Sequence, residues 1–275
     1  MFGLFKRKKK EEETAPTYLS LRVREVVRET EDTVSIHFEQ PEPYLAYQPG
    51  QFLTLILSME GKEVRRSYSL CTSPFVDPFP AIAVKRVPGG LVSNYLNNQI
   101  FPGKTIQVMK PLGNFTCNFH SKNARQFLLI AGGSGITPMM GLIKSILVNE
   151  PLSKIHLLYA SKTHEEIIFR EALAKLQRES GERLQVLHFL SREQRAESGF
   201  SGRMDAAGLQ AYVDAHGLST VGAQDLTFLC GPEQLMLLAE GVLEGPAGPK
   251  HSASRRVFIW KNSHSRRVRK PQVLH

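Results

Sequence analysis

Cysteine, tryptophan and long apolar runs are what this chain has least of. Its three cysteines in 275 residues, Cys71, Cys117 and Cys230, stand far apart. They offer neither a disulfide framework nor a metal-ligand spacing, and a reducing, cytoplasmic setting is the expectation. No apolar run approaches the length of a membrane-spanning helix and no secretory leader is apparent, which argues against stable membrane insertion. Acidic residues are missing from one region only. Eight of the 35 basic residues lie between Gly245 and His275 together with none of the 26 acidic ones, which leaves 27 basic against 26 acidic elsewhere. The net charge of +9 therefore belongs to the tail, and a nucleic-acid-binding face on the body of the protein is not expected.

What remains is ordinary in bulk. An apolar fraction of 41% and a charged fraction of 22% describe a globular protein, and the length allows two domains with cores of their own. Residues 1–16 carry a basic run from Lys6 to Lys10, then Glu11 to Glu13, and read as a disordered arm. Phe2, Leu4 and Phe5 beside the lysines would bind an anionic membrane only weakly.

From residue 17 to about 122 the pattern is that of short antiparallel strands. Leu19-Leu21-Val23, Val34-Ile36-Phe38, Phe52-Thr54-Ile56 and Ile82-Val84 alternate with residues of the opposite face, and Pro49-Gly50 and Glu60-Gly61 read as turns. This predicts a closed β-barrel of about a hundred residues, interrupted by one helix, Ser93 to Asn98. From residue 123 to 244 apolar runs alternate with helical patterns. Strands are expected at 127–130, 155–159, 184–190 and 226–229, and helices at 138–148, 165–178, 204–215 and 232–243. That rhythm predicts an α/β domain with a parallel sheet and ligands at the carboxyl ends of its strands. Residues 245–275 form an atypical basic tail in which 256–260 has the composition of one more strand.

Four motifs stand out. Ala131-Gly132-Gly133-Ser134-Gly135-Ile136-Thr137-Pro138 joins a buried strand to a helix. Its glycines allow a sharp turn and close approach of a ligand, Thr137 is placed to cap the helix, and the free amides at such an end suit a phosphate. Arg66-Ser67-Tyr68-Ser69 lies on a barrel strand, with Arg66 and Tyr68 on one face and Ser67 and Ser69 on the other. It offers a guanidinium fork, a flat ring and a hydroxyl. Lys85 precedes Gly89-Gly90-Leu91-Val92-Ser93, a glycine pair before a short helix capped by Ser93 or its neighbour. Cys230-Gly231-Pro232 is again a strand end before a helix. Taken singly, each motif also reads as an ordinary turn, strand or buried cysteine.

In this order and spacing the four motifs resemble the ferredoxin–NADP reductase superfamily, and within it the reductase components of multicomponent oxygenases such as the phenylacetyl-CoA type. The resemblance implies an FAD-binding barrel followed by an NAD(P)-binding domain. It implies that Arg66 binds the flavin pyrophosphate, that Tyr68 stacks on the isoalloxazine and that Ser69 lies near its N5. Lys85, Gly90, Leu91, Val92 and Ser93 would complete the cofactor site. Gly132, Gly133, Ser134, Gly135 and Thr137 would receive the nicotinamide nucleotide, with Cys230, Gly231 and Pro232 beside its ring; Ser69, Thr137 and Cys230 are the candidate catalytic residues. Ser191-Arg192-Glu193 resembles the segment that grips a 2′-phosphate, which favours NADPH over NADH. The implied activity is electron transfer from NAD(P)H through FAD to a ferredoxin-like iron–sulfur protein or an oxygenase component; the alternative is a non-catalytic, redox-sensing flavin module. Such reductases usually carry a C-x4-C-x2-C…C iron–sulfur domain, and this sequence has no such spacing. Residues 245–275 also do not resemble the family's closing segment, so the chain reads either as a partner of a separate iron–sulfur protein or as a truncated or frame-shifted relative.

Overall fold

The computed structural model describes residues 18–193, 199–218, 224–244 and 256–260. The first sheet is antiparallel throughout, in the spatial order β4-β3-β6-β1-β2-β5. Its strands are β1 (Tyr18–Thr30), β2 (Thr33–Phe38), β3 (Phe52–Met59), β4 (Lys62–Ser69), β5 (Ala81–Lys85) and β6 (Thr105–Met109). A bridge between Leu70 and Ile82 joins the two edge strands, so the sheet closes on itself as the alternation predicts. Inside lie Leu21, Val23, Val34, Ile36, Leu53, Leu55, Ile106 and Val108, all buried. Strand β6 goes beyond what the alternation predicts: it is short, and only Ile106 and Val108 mark its inner face.

Between β5 and β6 runs α1 (Leu91–Asn98), two residues longer at its start than predicted. Gly90 occupies the N-cap in extended conformation and no side chain caps the helix. Ser93 is not the cap. Its hydroxyl accepts from the Val87 amide at 3.0 Å and donates to the Gly90 carbonyl at 3.3 Å, so it braces the preceding turn. Asn97 donates its side-chain amide to the Val84 carbonyl at 3.1 Å, and this fastens the helix to β5.

The second sheet is parallel, in the order β10-β9-β8-β7-β11-β12. It comprises β7 (Gln126–Gly132), β8 (Lys154–Ser161), β9 (Leu184–Leu190), β10 (Gly199–Ser201), β11 (Leu226–Cys230) and β12 (Arg256–Trp260), with α2 (Ile136–Asn149), α3 (Arg170–Ser180), α4 (Ala206–Ala215) and α5 (Glu233–Glu244). The strands are apolar on both faces, as burial between two helical layers requires.

Two expectations change, and the strand suggested by the composition of residues 256–260 is present. A 3-10 turn over Gly133–Gly135 leads into α2, so Thr137 lies inside the first turn and donates its hydroxyl to the Ser134 carbonyl at 2.9 Å instead of capping. Helix α3 starts at Arg170 and not at 165. Ile167 and Ile168 are both drawn into the core, and Phe169, with φ 61°, turns the chain immediately before the helix. Finally, residues 256–260 form a strand paired with β11, and Phe258 stacks on Phe228 at 4.6 Å and 9°. The rest of the tail, residues 245–255 and 261–275, and the N-terminal arm lie outside the described residues. Among the described residues no helix is long and apolar enough to cross a membrane.

The two sheets are joined by residues 110–125. Arg125 pairs with the fully buried carboxylate of Glu150, which also accepts from Asn123 at 2.8 Å and Ser153 at 2.8 Å. Burial alone would raise the Glu150 carboxyl, but these donors outweigh it and hold it below the usual carboxylate range.

Candidate flavin and nucleotide site

Register sets what β4 presents. Arg66 lies opposite Leu55 and Tyr68 opposite Leu53, so both project to the side of the barrel interior, while Ser67 meets Thr54 on the outside at 2.9 Å. Strands β4 and β5 meet at the bridge between Leu70 and Ile82. Arg66 is half-buried as a residue; its guanidinium donates to the Arg65 carbonyl at 2.7 Å in an exposed bond and makes no ion pair among the described residues. Tyr68 is half-buried as well, its phenol pushed up to about 12 by burial, and Ser69 is buried.

Helix α1 supplies the complementary donors. Its first intrahelical bond runs from the Asn94 amide to the Gly90 carbonyl, so the amides of Leu91, Val92 and Ser93 precede the ladder and face outward. The Gly90 amide is spent on the Val87 carbonyl at 2.9 Å. Three amides, a helix dipole and an uncompensated guanidinium fit a pyrophosphate. Lys85 is committed elsewhere: its ammonium lies 3.0 Å from Glu166 and 3.3 Å from Asp32, and so ties the barrel to the parallel sheet.

On the other sheet the glycine turn has a different logic from the one its sequence offers. A Cβ on Gly135 would lie 2.0 Å from the Cys230 carbonyl oxygen, and one on Gly132 would lie 2.7 Å from Pro232 Cδ. A Cβ on Gly231 would in turn lie 2.9 Å from the Gly132 amide nitrogen. These glycines therefore serve close packing of the Cys230-Gly231-Pro232 turn against the β7–α2 turn, and two motifs about a hundred residues apart become one structure. Only Gly133 is open, with φ +52° and nothing near its would-be Cβ. Its carbonyl accepts from the Tyr159 hydroxyl at 3.0 Å, and that hydroxyl accepts from the Ile168 amide at 3.3 Å. Burial raises the Tyr159 phenol, which keeps it a neutral donor. Tyr159 escapes sequence reasoning because it reads as one more apolar residue of β8.

Thr137 and Cys230 are both buried. Burial pushes the Cys230 thiol up to about 12, so it is a neutral, polarizable wall and not a nucleophile. Ser191 and Arg192 are exposed at the carboxyl end of β9, their amides donating to the Ser161 and Lys162 carbonyls at 3.0 and 2.9 Å. They stand at the crevice edge of the sheet.

The halves of the site are pressed together by α2. A Cβ on Gly141 would lie 2.7 Å from the Thr72 carbonyl, three residues beyond Ser69. Ser145 bonds to Ser73 at 2.7 Å and Lys144 to Asp77 at 2.8 Å, while Phe115 of the barrel side packs edge-on against Phe228 of β11 at 5.0 Å.

A closed antiparallel barrel with an uncapped helix start, clamped to a parallel sheet with a glycine turn at its carboxyl edge, defines a two-domain flavin and pyridine-nucleotide oxidoreductase architecture. The chain belongs to that class: residues 19–117 match the oxidoreductase FAD-binding domain family and residues 129–240 the oxidoreductase NAD-binding domain family. It is similar to one of the subunits of 1,2-phenylacetyl-CoA epoxidase from Escherichia coli K12, with 38% identity over 238 residues, 85% of this chain and 65% of that one. The ferredoxin reductase component of 3-ketosteroid-9-alpha-monooxygenase from Mycolicibacterium smegmatis is 38% identical over 247 residues, covering 87% of this chain and 65% of the other. The chain thus spans about two thirds of the length of these relatives. In fold it matches a ferredoxin NADP+ reductase from Neisseria gonorrhoeae, solved with FAD and NADP, at a TM-score of 0.72 and 18% identity over 89% of this chain and 99% of that one.

Proposed function

We propose that the protein is an NAD(P)H-dependent flavin oxidoreductase that passes electrons through FAD to a ferredoxin-like iron–sulfur protein or an oxygenase component. The observation that carries this reading is the half-buried residue Arg66, which makes no ion pair among the described residues, taken together with the amides of Leu91, Val92 and Ser93 that precede the hydrogen-bond ladder of α1. A cation so placed calls for an anion. When bound, FAD would accept two electrons from a reduced nicotinamide and release them singly. The chain's own task is placement: Tyr68 offers a face to the flavin ring, Ser69 a hydroxyl at its edge, and the Gly133–Thr137 turn a seat for the nucleotide. Cys230 keeps water from the crevice. Ser191 and Arg192 suit the 2′-phosphate of NADPH, a dianion that favours a guanidinium beside a hydroxyl. Relatives whose names include a monooxygenase or epoxidase support an oxygenase partner, and three free cysteines support a reducing compartment.

The deciding experiment is an anaerobic absorption spectrum of flavin-loaded protein before and after NADPH, with NADH in parallel. Bleaching of the flavin band by NADPH at lower concentration than by NADH is the expected result. A bound flavin that neither nucleotide bleaches would leave a redox-silent flavin module and remove the reductase reading.

A further inference from the structure

Among the described residues Tyr159 is the largest of the fully buried side chains. It stands near the carboxyl end of β8, opposite Ala131 of β7 and His188 of β9, with the His188 ring 5.8 Å away. A phenyl ring would fill that space as well, so the hydroxyl needs a reason of its own, since burying it is costly unless it is bonded. Two partners fix its proton. The Ile168 amide, 3.3 Å away, can only donate, and the Gly133 carbonyl, 3.0 Å away, can only accept. The hydroxyl therefore donates to Gly133 and is held in that direction.

What this bond fixes is a peptide plane. The link between Gly133 and Ser134 is planar and trans, so its carbonyl and its amide point in opposite directions. With the carbonyl drawn toward a fully buried hydroxyl, the Ser134 amide faces the other way, and Ser134 is exposed. Gly133 has φ +52° and open space at its would-be Cβ, and a glycine so placed tolerates more than one peptide orientation. Local sterics thus leave the choice to the donors of its carbonyl, which are the Ile136 amide within the turn and the Tyr159 hydroxyl from the neighbouring strand. For a ligand that carries phosphates the choice matters, because an N–H on the exposed side attracts it and a carbonyl oxygen there repels it.

We infer that Tyr159 is a positioning residue for the nucleotide: by holding the Gly133 carbonyl inward it presents the Ser134 amide to the ligand. The inference rests on the nucleotide reading above. Affinities for NADP+ and NAD+, which bind without reducing the flavin, would be measured calorimetrically on FAD-loaded full-length protein, for the wild type, Tyr159→Phe, Ser134→Pro and the double variant. Proline deletes the Ser134 amide and is tolerated in the first turn of a helix. The expected result is that Tyr159→Phe keeps its FAD and binds both nucleotides about tenfold more weakly. The factor is the same for the two, because the turn does not meet the 2′-phosphate by which they differ. Ser134→Pro behaves alike, and the double variant binds no more weakly than Ser134→Pro alone, since substitutions that act on one interaction do not add. A merely structural role for Tyr159 would multiply the two losses instead. Such multiplication, or loss of FAD in step with the nucleotides, would overturn the inference. So would unchanged nucleotide affinity in Tyr159→Phe or in Ser134→Pro; the second, at an exposed position, stays decisive if Tyr159→Phe fails to fold. Wild-type protein that keeps FAD but binds neither nucleotide would remove the nucleotide reading itself, and this inference with it.

Discussion

Arg66 and the glycines of the two turns are single residues whose replacement separates binding from packing. Replacing Arg66 by Ala removes charge-assisted bonds worth about 1.5–3 kcal/mol, so flavin affinity should fall roughly 10- to 100-fold, read from the flavin retained on purification and from titration. Fold stability should hardly change, because the guanidinium contacts only a neighbouring carbonyl. The glycines behave in reverse. Gly135→Ala forces a methyl to 2.0 Å from a backbone oxygen, which cannot give way as a side chain would. A loss of about 1–3 kcal/mol is expected for such overpacking, visible in chemical denaturation. Gly133→Ala meets no atom and should cost about 1–2 kcal/mol from its left-handed backbone alone. The sequence marks all three glycines equally. Only the return of residues 230–232 against the turn distinguishes them, and a contact across about a hundred residues leaves no local trace.

At the scale of elements, acid is the informative variable. At the foot of the parallel sheet His156 of β8 bonds to the Tyr212 hydroxyl at 3.0 Å and meets the Gln126 side chain at 3.2 Å. Burial, then the nearby His216 and Lys154, pushes its imidazole down to about 4. The unfolded chain, with an ordinary histidine value of about 6.5, binds the proton first. Stability is thus complete above about pH 6.5 and declines as the pH falls toward about 4, by up to about 3 kcal/mol. His156→Gln should flatten that limb in urea denaturation followed from about pH 7 to about pH 4. Glu150 acts lower on the scale. Its carboxyl is held below the usual range, so its contribution persists above about pH 4.3 and is lost as acid protonates it through its depressed value. Glu150→Ala leaves Arg125 buried without its partner and should cost about 3–5 kcal/mol at neutral pH.

Legibility also divides by element. The long alternating strands β1–β3 and the runs of β7, β8, β9 and β11 are plain in the sequence because each buries its own periodic face. Strand β10 is three residues long, too short for a period to show. The start of α3 is hidden because Ile167 and Ile168 extend its apolar pattern while belonging to the core beneath the sheet. The proposed flavin-binding motif stands out in the sequence because Arg66, Tyr68 and Ser69 share one strand. Tyr159 and the linker clamp of Arg125 and Glu150 do not, since their roles depend on partners from other elements.

In the whole molecule, the strand at residues 256–260 shows that part of the basic tail belongs to the fold. Phe258 covers Phe228, and Phe228 also meets Phe115 from the barrel side, so one aromatic row runs from the sheet edge to the other domain. Truncation after Glu244 should therefore lower the melting temperature, and Phe258→Ala alone should cost about 2 kcal/mol, less than a fully buried phenylalanine.

The contact of Gly141 with Thr72 has a consequence of another kind. Helix α2 meets the barrel there backbone to backbone, with no side chain between them to yield, so the hydrogen atom at Gly141 acts as a spacer that sets how far the nucleotide turn stands from the strand of Ser69. A methyl group at that point touches neither ligand, yet it lengthens the gap. Since a misplacement of about 1 Å can slow a reaction by about a hundredfold, Gly141→Ala should bind FAD and NADPH as the wild type does and reduce its flavin far more slowly in stopped-flow mixing. The tempo of the protein would then be written in a position that no inspection of its binding residues would select.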